Sequence, residues 1–257
     1  MTGRLEGKIA LVTGIGAGIG RGCALRFAAE GARVLGCDID AGSAVATVAE
    51  AHRQGFGMTS IQPCDLTRPP DAQRAVAAAG ALEGRIDILV NAGAIAPHMS
   101  PVPDMDYESE WRPTIAGEVD LVFLVCRAAW PHLIASGSAS IINFASVNSF
   151  RGSRSMSMVA HCAGKGAVLS MTRQLAVEGG PHHIRANTIA PGLIMTAATE
   201  SAGATSGTLS ESIVKRTLLG RLGVPDDVAW CALYLASDES RWVTGANFSI
   251  DGGVTAA

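Results

Sequence analysis

A cluster of glycines directly after the first apolar run of the chain carries the clearest chemical signal. It reads Thr13-Gly14-Ile15-Gly16-Ala17-Gly18-Ile19-Gly20 and follows the apolar residues 9–12. A strand that ends at glycines and continues as a helix leaves free backbone N–H groups at the helix start, and these attract an anionic diphosphate. An acidic residue, Asp38, ends the second apolar run, as in dinucleotide-binding units. We therefore predict a dinucleotide-binding turn rather than a merely tight strand-to-helix connection.

Polar residues also follow other predicted strands, and in parallel sheets ligands bind at those carboxyl ends. Asp38 could accept hydrogen bonds from the adenosine ribose, and its charge would repel a 2′-phosphate, which favours NAD over NADP. Asp65 could contact the adenine amino group, or it could be a helix N-cap or turn residue. Asn91, Ala92 and Gly93 would form the floor beneath the adenosine.

A second candidate for chemistry is a histidine and a lysine in one predicted helix. His161 and Lys165 are four residues apart within the helical pattern 159–178, so their side chains share a face. Free imidazole has a pKa near ~6.5, so a histidine needs little tuning to exchange a proton at neutral pH. The pair is therefore a candidate for acid/base catalysis.

The elements that must position these residues alternate between strand-like and helix-like segments, which predicts an α/β fold with a parallel sheet and crossover helices. The predicted strands are 8–12, 33–37, 58–63, 86–90, 140–144, 185–189 and 247–250. The predicted helices are 21–30, 43–53, 71–79, 108–132, 159–178 and 226–236. The segment 195–219 has mixed polarity and weak periodicity, which indicates a mobile lid over the substrate.

Composition narrows the functional classes. The 257 residues contain no linker-like segment, so we predict one domain over 1–257. A net charge of −3 gives no basic surface for nucleic acid or an anionic membrane. Six scattered cysteines indicate core thiols in a reducing, cytoplasmic compartment. We find no room for a signal peptide before the first strand and no apolar run long enough to cross a bilayer.

Motifs along nearly the whole chain resemble those of the short-chain dehydrogenase/reductase family. They are Thr13-Gly14-x-x-x-Gly18-Ile19-Gly20, Asp38, Asp65, Asn91-Ala92-Gly93, Pro191-Gly192, Val243-Thr244-Gly245 and Asp251-Gly252-Gly253. The resemblance implies a single-domain Rossmann fold, with a doubly wound seven-stranded parallel sheet and helices on both faces. It also implies a nicotinamide cofactor, a small-molecule substrate and a homotetramer or homodimer. The expected cofactor contacts are Gly14, Gly16, Gly18, Ile19, Gly20, Asp38, Asp65, Leu66, Asn91, Ala92, Gly93, Lys165, Pro191, Gly192, Ile194 and Thr196.

The chain departs from the family pattern at the reacting centre. Relatives carry a Tyr-x-x-x-Lys motif, but this helix reads His161-Cys162-Ala163-Gly164-Lys165, which puts His161 at the tyrosine position. The segment 111–118 resembles the one that ends in the catalytic asparagine, which puts Glu118 there. Ser146 matches the family serine, although its separation from position 161 is longer than usual, so Asn148 or Ser149 could take its place.

These residues lead to three hypotheses. The first is an NAD-dependent oxidoreductase of a secondary alcohol or ketone, with His161 as acid/base, Ser146 orienting the substrate oxygen and Lys165 on the ribose. Glu118 would join a proton relay by fixing the His161 tautomer, or it would pair with Lys165 and neutralise its charge. The second is a lyase, hydratase or isomerase in which Glu118 and His161 form the acid/base pair. The third is a catalytically silent nucleotide-binding protein.

Other polar residues carry weaker signals. His98 and the pair His182-His183 invite a metal interpretation, but adjacent histidines bind one ion poorly, and we predict no metal site. Ser146 lacks the glycine-flanked elbow of a hydrolase nucleophile. The substrate pocket is expected from segments 94–106, 147–158 and 195–217, and its specificity is not legible.

Overall fold

A seven-stranded parallel sheet forms the centre of the computed structural model, which describes residues 3–154 and 156–256. The strand order is β3-β2-β1-β4-β5-β6-β7, so it reverses between β1 and β4. The strands are β1 Ile9–Thr13, β2 Arg33–Cys37, β3 Met58–Ile61, β4 Ile88–Asn91, β5 Ala139–Phe144, β6 Ile184–Pro191 and β7 Asn247–Ile250. This doubly wound arrangement confirms the predicted fold class, and its ligand crevice lies at the carboxyl edge beside the reversal.

Helices cover both faces of the sheet, which explains why the central strands β1, β4 and β5 are buried along their whole length rather than at alternate residues. The helices are α1 Gly18–Ala29, α2 Ala41–Arg53, α3 Pro69–Gly80, α4 Arg112–Ile115, α5 Leu121–Ser136, α6 Val159–Gly179, α7 Ala197–Ser201, α8 Gly207–Val214 and α9 Pro225–Ala236. One core joins the sheet to α1, α2 and α9, and the other joins it to α3, α5 and α6.

The predicted helix 108–132 is part of one longer helical segment, Tyr107–Ser136. It consists of a π-helical turn, α4, a second π-helical turn at Ala116–Asp120, and α5. A π-helical turn adds a residue to the helix locally and is common at functional sites. The second of these turns carries Glu118 into the interior of the protein.

The segment Tyr107–Ser136 is also the one helix in residues 3–154 and 156–256 whose length and composition would allow it to cross a membrane. The sequence analysis predicts no apolar run long enough to cross a bilayer, and it does not single out this helix. Core helices of water-soluble proteins have the same properties, and α5 packs Leu121, Val125 and Leu133 into the core beneath the sheet. Length and composition are therefore weak grounds for a membrane span.

Two other regions differ from or extend the sequence predictions. α1 begins at Gly18, three residues before the predicted start at Arg21, and so includes the last two glycines of the turn. The segment 195–219 contains the short helices α7 and α8, and its mobility stays a prediction.

All six cysteines are free thiols. Of the predicted domain 1–257, residues 1, 2, 155 and 257 lie outside the described part of the chain.

Candidate active site

The glycine turn closes tightly because two of its glycines leave no room for a side chain. Gly14 has a positive φ of 71°, and a Cβ there would lie 2.7 Å from Gly93 Cα. A Cβ on Gly20, in the first turn of α1, would overlap the Gly14 carbonyl oxygen. The Thr13 hydroxyl accepts a hydrogen bond of 2.8 Å from the Gly93 N–H, which joins the turn to the loop after β4. The helix start is thereby held open towards the crevice.

A cavity of about 340 Å³ lies between this turn and the carboxyl ends of β2 and β4. We call it the glycine-turn cavity. It brings together most of the predicted cofactor contacts, and these are Gly14, Gly18, Ile19, Gly20, Asp38, Asp65, Leu66, Ala92, Gly93 and Thr196. Backbone N–H groups at a helix start and two carboxylates on one wall suit the diphosphate and the polar edge of an adenosine.

The two aspartates of the cavity are held by short hydrogen bonds. Asp38 accepts a 2.7 Å bond from the Gly16 N–H and a 2.9 Å bond from the Asp40 N–H. Asp65 accepts bonds from the backbone N–H and the hydroxyl of Thr67, at 3.0 and 2.7 Å. Asp65 therefore makes the turn contacts that the sequence left as an alternative, while it also lines the cavity.

Other predicted cofactor residues lie outside this cavity. Asn91 is buried and donates a 2.8 Å hydrogen bond from Nδ2 to Asn143 Oδ1, which links β4 to β5. Pro191 ends β6, and Gly192 and Ile194 line a second cavity of about 440 Å³. Gly16 lies in the turn, where its N–H is bound to Asp38.

The four predicted catalytic residues come from three elements at the carboxyl edge of the sheet, and we call them the acid/base cluster. Glu118 Oε1 and His161 Nδ1 are 2.5 Å apart. Glu118 is almost fully buried, with 2% of its surface exposed. Glu118 and Lys165 form no ion pair within 4 Å among residues 3–154 and 156–256. Of the two pairings that the sequence left open, the geometry has the one between Glu118 and His161.

Lys165 lies one turn beyond His161 on α6 and is half-buried. Its ammonium donates a 3.4 Å hydrogen bond to the carbonyl oxygen of Phe144, at the end of β5. Burial lowers the pKa of Lys165 below its usual range, while the Glu118 carboxylate acts in the opposite direction. The cation is therefore costly to keep in this place, as expected for a group with a functional role.

Ser146 lies two residues beyond Phe144 and begins a short 3-10 helix, Val147–Ser149. Its hydroxyl accepts a 3.1 Å hydrogen bond from the Asn148 N–H, and its own N–H donates to the Ser149 hydroxyl at 3.2 Å. All three candidates for orienting the substrate therefore lie in one turn after β5. Lys165 contacts the strand from which this turn starts.

The chemistry of this arrangement follows from the tautomer that it selects. A carboxylate that accepts a hydrogen bond from Nδ1–H keeps the proton on that nitrogen. Nε2 is then the ring nitrogen that can exchange a proton with another molecule. An acid held on a histidine in this way orients the ring and stabilises the imidazolium when it forms. The cluster can therefore act as a general acid or base. In the described part of the chain, no group of three or more His, Cys, Asp or Glu side chains could hold a metal ion.

Comparison with known proteins decides the family. A family model described as enoyl-(acyl carrier protein) reductase matches residues 14–255. D-threitol dehydrogenase of Mycolicibacterium smegmatis is 35% identical over 261 residues, covering 98% of this chain and 94% of the relative. A crystal structure of a short-chain type dehydrogenase/reductase from Mycobacterium marinum has a TM-score of 0.91 and 32% identity, covering 98% of this chain and 97% of that one. The chain belongs to the short-chain dehydrogenase/reductase family.

As a short-chain dehydrogenase/reductase, the protein is an oxidoreductase. One relative, 34% identical over 250 residues, is an NAD-dependent glycerol dehydrogenase of Listeria innocua. One solved structure, of a protein described as an NAD(P)-dependent gluconate 5-dehydrogenase from Beutenbergia cavernae, holds NADP at low occupancy. It is 33% identical, has a TM-score of 0.90 and covers 98% of each chain. The glycine-turn cavity fits a cofactor of this class because glycines keep its floor free of side chains.

Sequence reasoning missed two structural residues of the site. Thr13 ties the glycine turn to Gly93, and its place just before Gly14 in the motif is the signal that could have revealed it. Asn143 holds Asn91 and donates a 2.9 Å bond to Thr172, so a buried polar chain crosses from β4 to α6. A lone asparagine within the apolar strand β5 was the available signal, since buried polar groups require partners.

Proposed function

We propose that this protein is an NAD-dependent oxidoreductase of a secondary alcohol or ketone in which His161, paired with Glu118, exchanges a proton with the substrate oxygen. A bound nicotinamide would accept the hydride from an alcohol or donate it to a ketone. The observation that carries this proposal is the 2.5 Å contact between Glu118 Oε1 and His161 Nδ1, at the position that the family resemblance assigns to the catalytic tyrosine.

Each residue of the acid/base cluster has one role in this proposal. His161 Nε2 takes the proton from an alcohol or returns it to a ketone, since Nδ1 is engaged by Glu118. Glu118 orients the ring and stabilises its charged form through a charge-assisted hydrogen bond, which contributes about 1.5–3 kcal/mol. Ser146 orients the substrate oxygen, and Lys165 holds the nicotinamide ribose.

We assign NAD rather than NADP because of Asp38. Its carboxylate lines the glycine-turn cavity and is held there by the N–H groups of Gly16 and Asp40. With both oxygens engaged, the carboxylate cannot easily swing away from an approaching 2′-phosphate, and like charges repel strongly in a partly buried site. The ribose hydroxyls of NAD would instead donate hydrogen bonds to it.

The test is a spectrophotometric assay of NADH formation with NAD and a panel of secondary alcohols. We expect turnover that depends on NAD and is weaker with NADP. Turnover of a substrate with no change in nicotinamide absorbance would favour the lyase, hydratase or isomerase hypothesis. Nucleotide binding without turnover across the panel would favour a silent binding protein. Membership of an oxidoreductase family supports the redox hypothesis over both.

Exposed apolar side chains support an oligomer, which we propose to be a homotetramer or homodimer. Phe123 on α5 is 50% exposed, Val177 on α6 is 69% exposed and Trp242 is 97% exposed. Phe123 and Val177 lie on the two long helices through which the family resemblance implies that subunits associate. Multi-angle light scattering is expected to give four or two times the chain mass of 26.4 kDa, whereas a monomer would contradict the proposal.

A further inference from the structure

A glycine in the middle of α6 lies against the catalytic carboxylate. Gly164 is buried between His161 and Lys165 in the sequence of this helix. A Cβ placed on Gly164 would overlap Glu118 Oε2, and it would lie 3.2 Å from Glu118 Cβ and 3.5 Å from Cδ. The space that a side chain would fill at this position is therefore occupied by the Glu118 carboxylate.

Glycine is a costly choice at this position, since it destabilises a helix interior by roughly 0.8–1 kcal/mol relative to alanine. Gly166, two residues further along α6, offers an internal comparison. A Cβ on Gly166 would meet nothing within 4 Å. Both glycines carry the helix cost, but only Gly164 leaves a space that another functional group uses.

Glu118 cannot easily give up this space. It reaches His161 with Oε1, while Oε2 is buried and has no hydrogen-bond partner in the described part of the chain. The side chain is packed with 2% of its surface exposed, so little free volume remains for it to move sideways. A methyl group at position 164 would push the carboxylate back and lengthen its contact with His161.

We propose that Gly164 is a positioning residue which, by having no side chain, admits the Glu118 carboxylate to His161. Glu118, His161 and Gly164 then form one set, in which the contact between the two acid/base residues depends on the missing side chain. The inference rests on the proposed function for its effect on turnover, but its geometric part can be measured without any substrate.

The first test compares Gly164→Ala with the control Gly166→Ala. We expect Gly164→Ala to lower kcat by about 10- to 100-fold, the range that a displacement of about 1 Å produces. The KM for NAD is expected to stay the same, because Gly164 does not line the glycine-turn cavity. Gly166→Ala is expected to leave both constants unchanged. Equal kcat values for the two variants would overturn the inference and leave the proposed function standing.

A second comparison separates positioning from general damage to the helix. In a Glu118→Ala background the methyl group has no carboxylate to displace, so adding Gly164→Ala is expected to cause no further loss of kcat. If Gly164→Ala lowered kcat by the same factor in both backgrounds, its effect would come from the helix alone, and the inference would fail. Thermal unfolding of all four proteins checks that each one is folded.

A readout without substrate distinguishes failure of the inference from failure of the proposed function. The His161 Nδ1 proton in a short bond to a carboxylate gives a strongly deshielded signal in proton NMR of the wild-type protein. We expect this signal to be lost or shifted upfield in Gly164→Ala and retained in Gly166→Ala. That result without redox turnover by the wild type would reject the proposed function alone. An unchanged signal in Gly164→Ala would reject the inference.

Discussion

The glycine-turn cavity and the acid/base cluster lie at the same edge of the sheet, but the first is formed mainly by backbone groups and the second by side chains. The cavity is lined largely by backbone and glycines, and its residues include most of those that the family resemblance predicts. The cluster is made of side chains, and at two of its four positions the family resemblance implies other residues than Glu118 and His161. Cofactor binding through backbone groups leaves little freedom to change, whereas proton exchange can be performed by any suitably placed acid or base.

Both regions nevertheless depend on missing side chains. Gly20 makes room for the Gly14 carbonyl, and Gly164 makes room for the Glu118 carboxylate. In the first case the space lets two backbone segments approach each other. In the second case it admits a charged group to the interior, where a carboxylate without a partner is expensive. The comparison predicts that substitutions in the cluster reduce turnover, while substitutions in the cavity change binding.

The largest effect is expected from His161→Phe. Loss of the proton-exchanging group should lower kcat by about 10²- to 10⁴-fold, while the affinity for NAD in isothermal titration stays near that of the wild type. His182→Phe, at an exposed turn, is the matched control and should retain full activity. Wild-type turnover by His161→Phe would show that another group exchanges the proton.

Glu118→Gln should have the next largest effect, because it keeps the shape of the side chain and removes its charge. We expect kcat to fall by about 10- to 100-fold, which corresponds to the loss of a charge-assisted hydrogen bond of about 1.5–3 kcal/mol. The amide oxygen can still accept a hydrogen bond from Nδ1–H, so the affinity for NAD in isothermal titration should stay near that of the wild type. A kcat equal to that of the wild type would contradict the role given to Glu118.

Asp38→Asn tests the cavity rather than the cluster. Removing the negative charge should raise the affinity for NADP by about 10-fold, which corresponds to about 1.4 kcal/mol, and should weaken binding of NAD. Isothermal titration with both nucleotides measures the two changes. If the wild-type protein binds NADP more tightly than NAD, the assignment of NAD is wrong.

The smallest effect on turnover is expected from Asn91→Ala. This substitution leaves Asn143 Oδ1 without its 2.8 Å partner in a buried region, which should lower the free energy of unfolding by about 1–3 kcal/mol. Urea denaturation measures the loss, and the affinity for NAD should change little. Weakened NAD binding at unchanged stability would instead support a direct cofactor contact by Asn91.

The sheet and the glycine turn could be predicted because long apolar runs and glycines act locally. The start of α1 was placed too late, since glycines are poor helix formers and conceal the first turn from a pattern of apolar residues. The direction of the Asn91 side chain could not be predicted. The sequence ended the fourth strand at Val90, but β4 includes Asn91, which lies opposite Asn143 in the sheet register.

The sequence could not predict whether Glu118 pairs with His161 or with Lys165. Helical periodicity relates residues on one element, whereas Glu118 and His161 meet from two elements that are distant in the chain. The π-helical turn at Ala116–Asp120 also alters the angular position of Glu118 from that expected for a regular α-helix. Gly164 is visible in the sequence, but its role in admitting Glu118 follows only from the position of the carboxylate that faces it.

The most direct measurement is a crystal structure of the protein with NAD and a bound alcohol or ketone. The account requires His161 Nε2 to lie within about 2.6–3.2 Å of the substrate oxygen, with Nδ1 still bound to Glu118. A substrate oxygen held by other groups, with the imidazole turned away from it, would contradict proton exchange by His161.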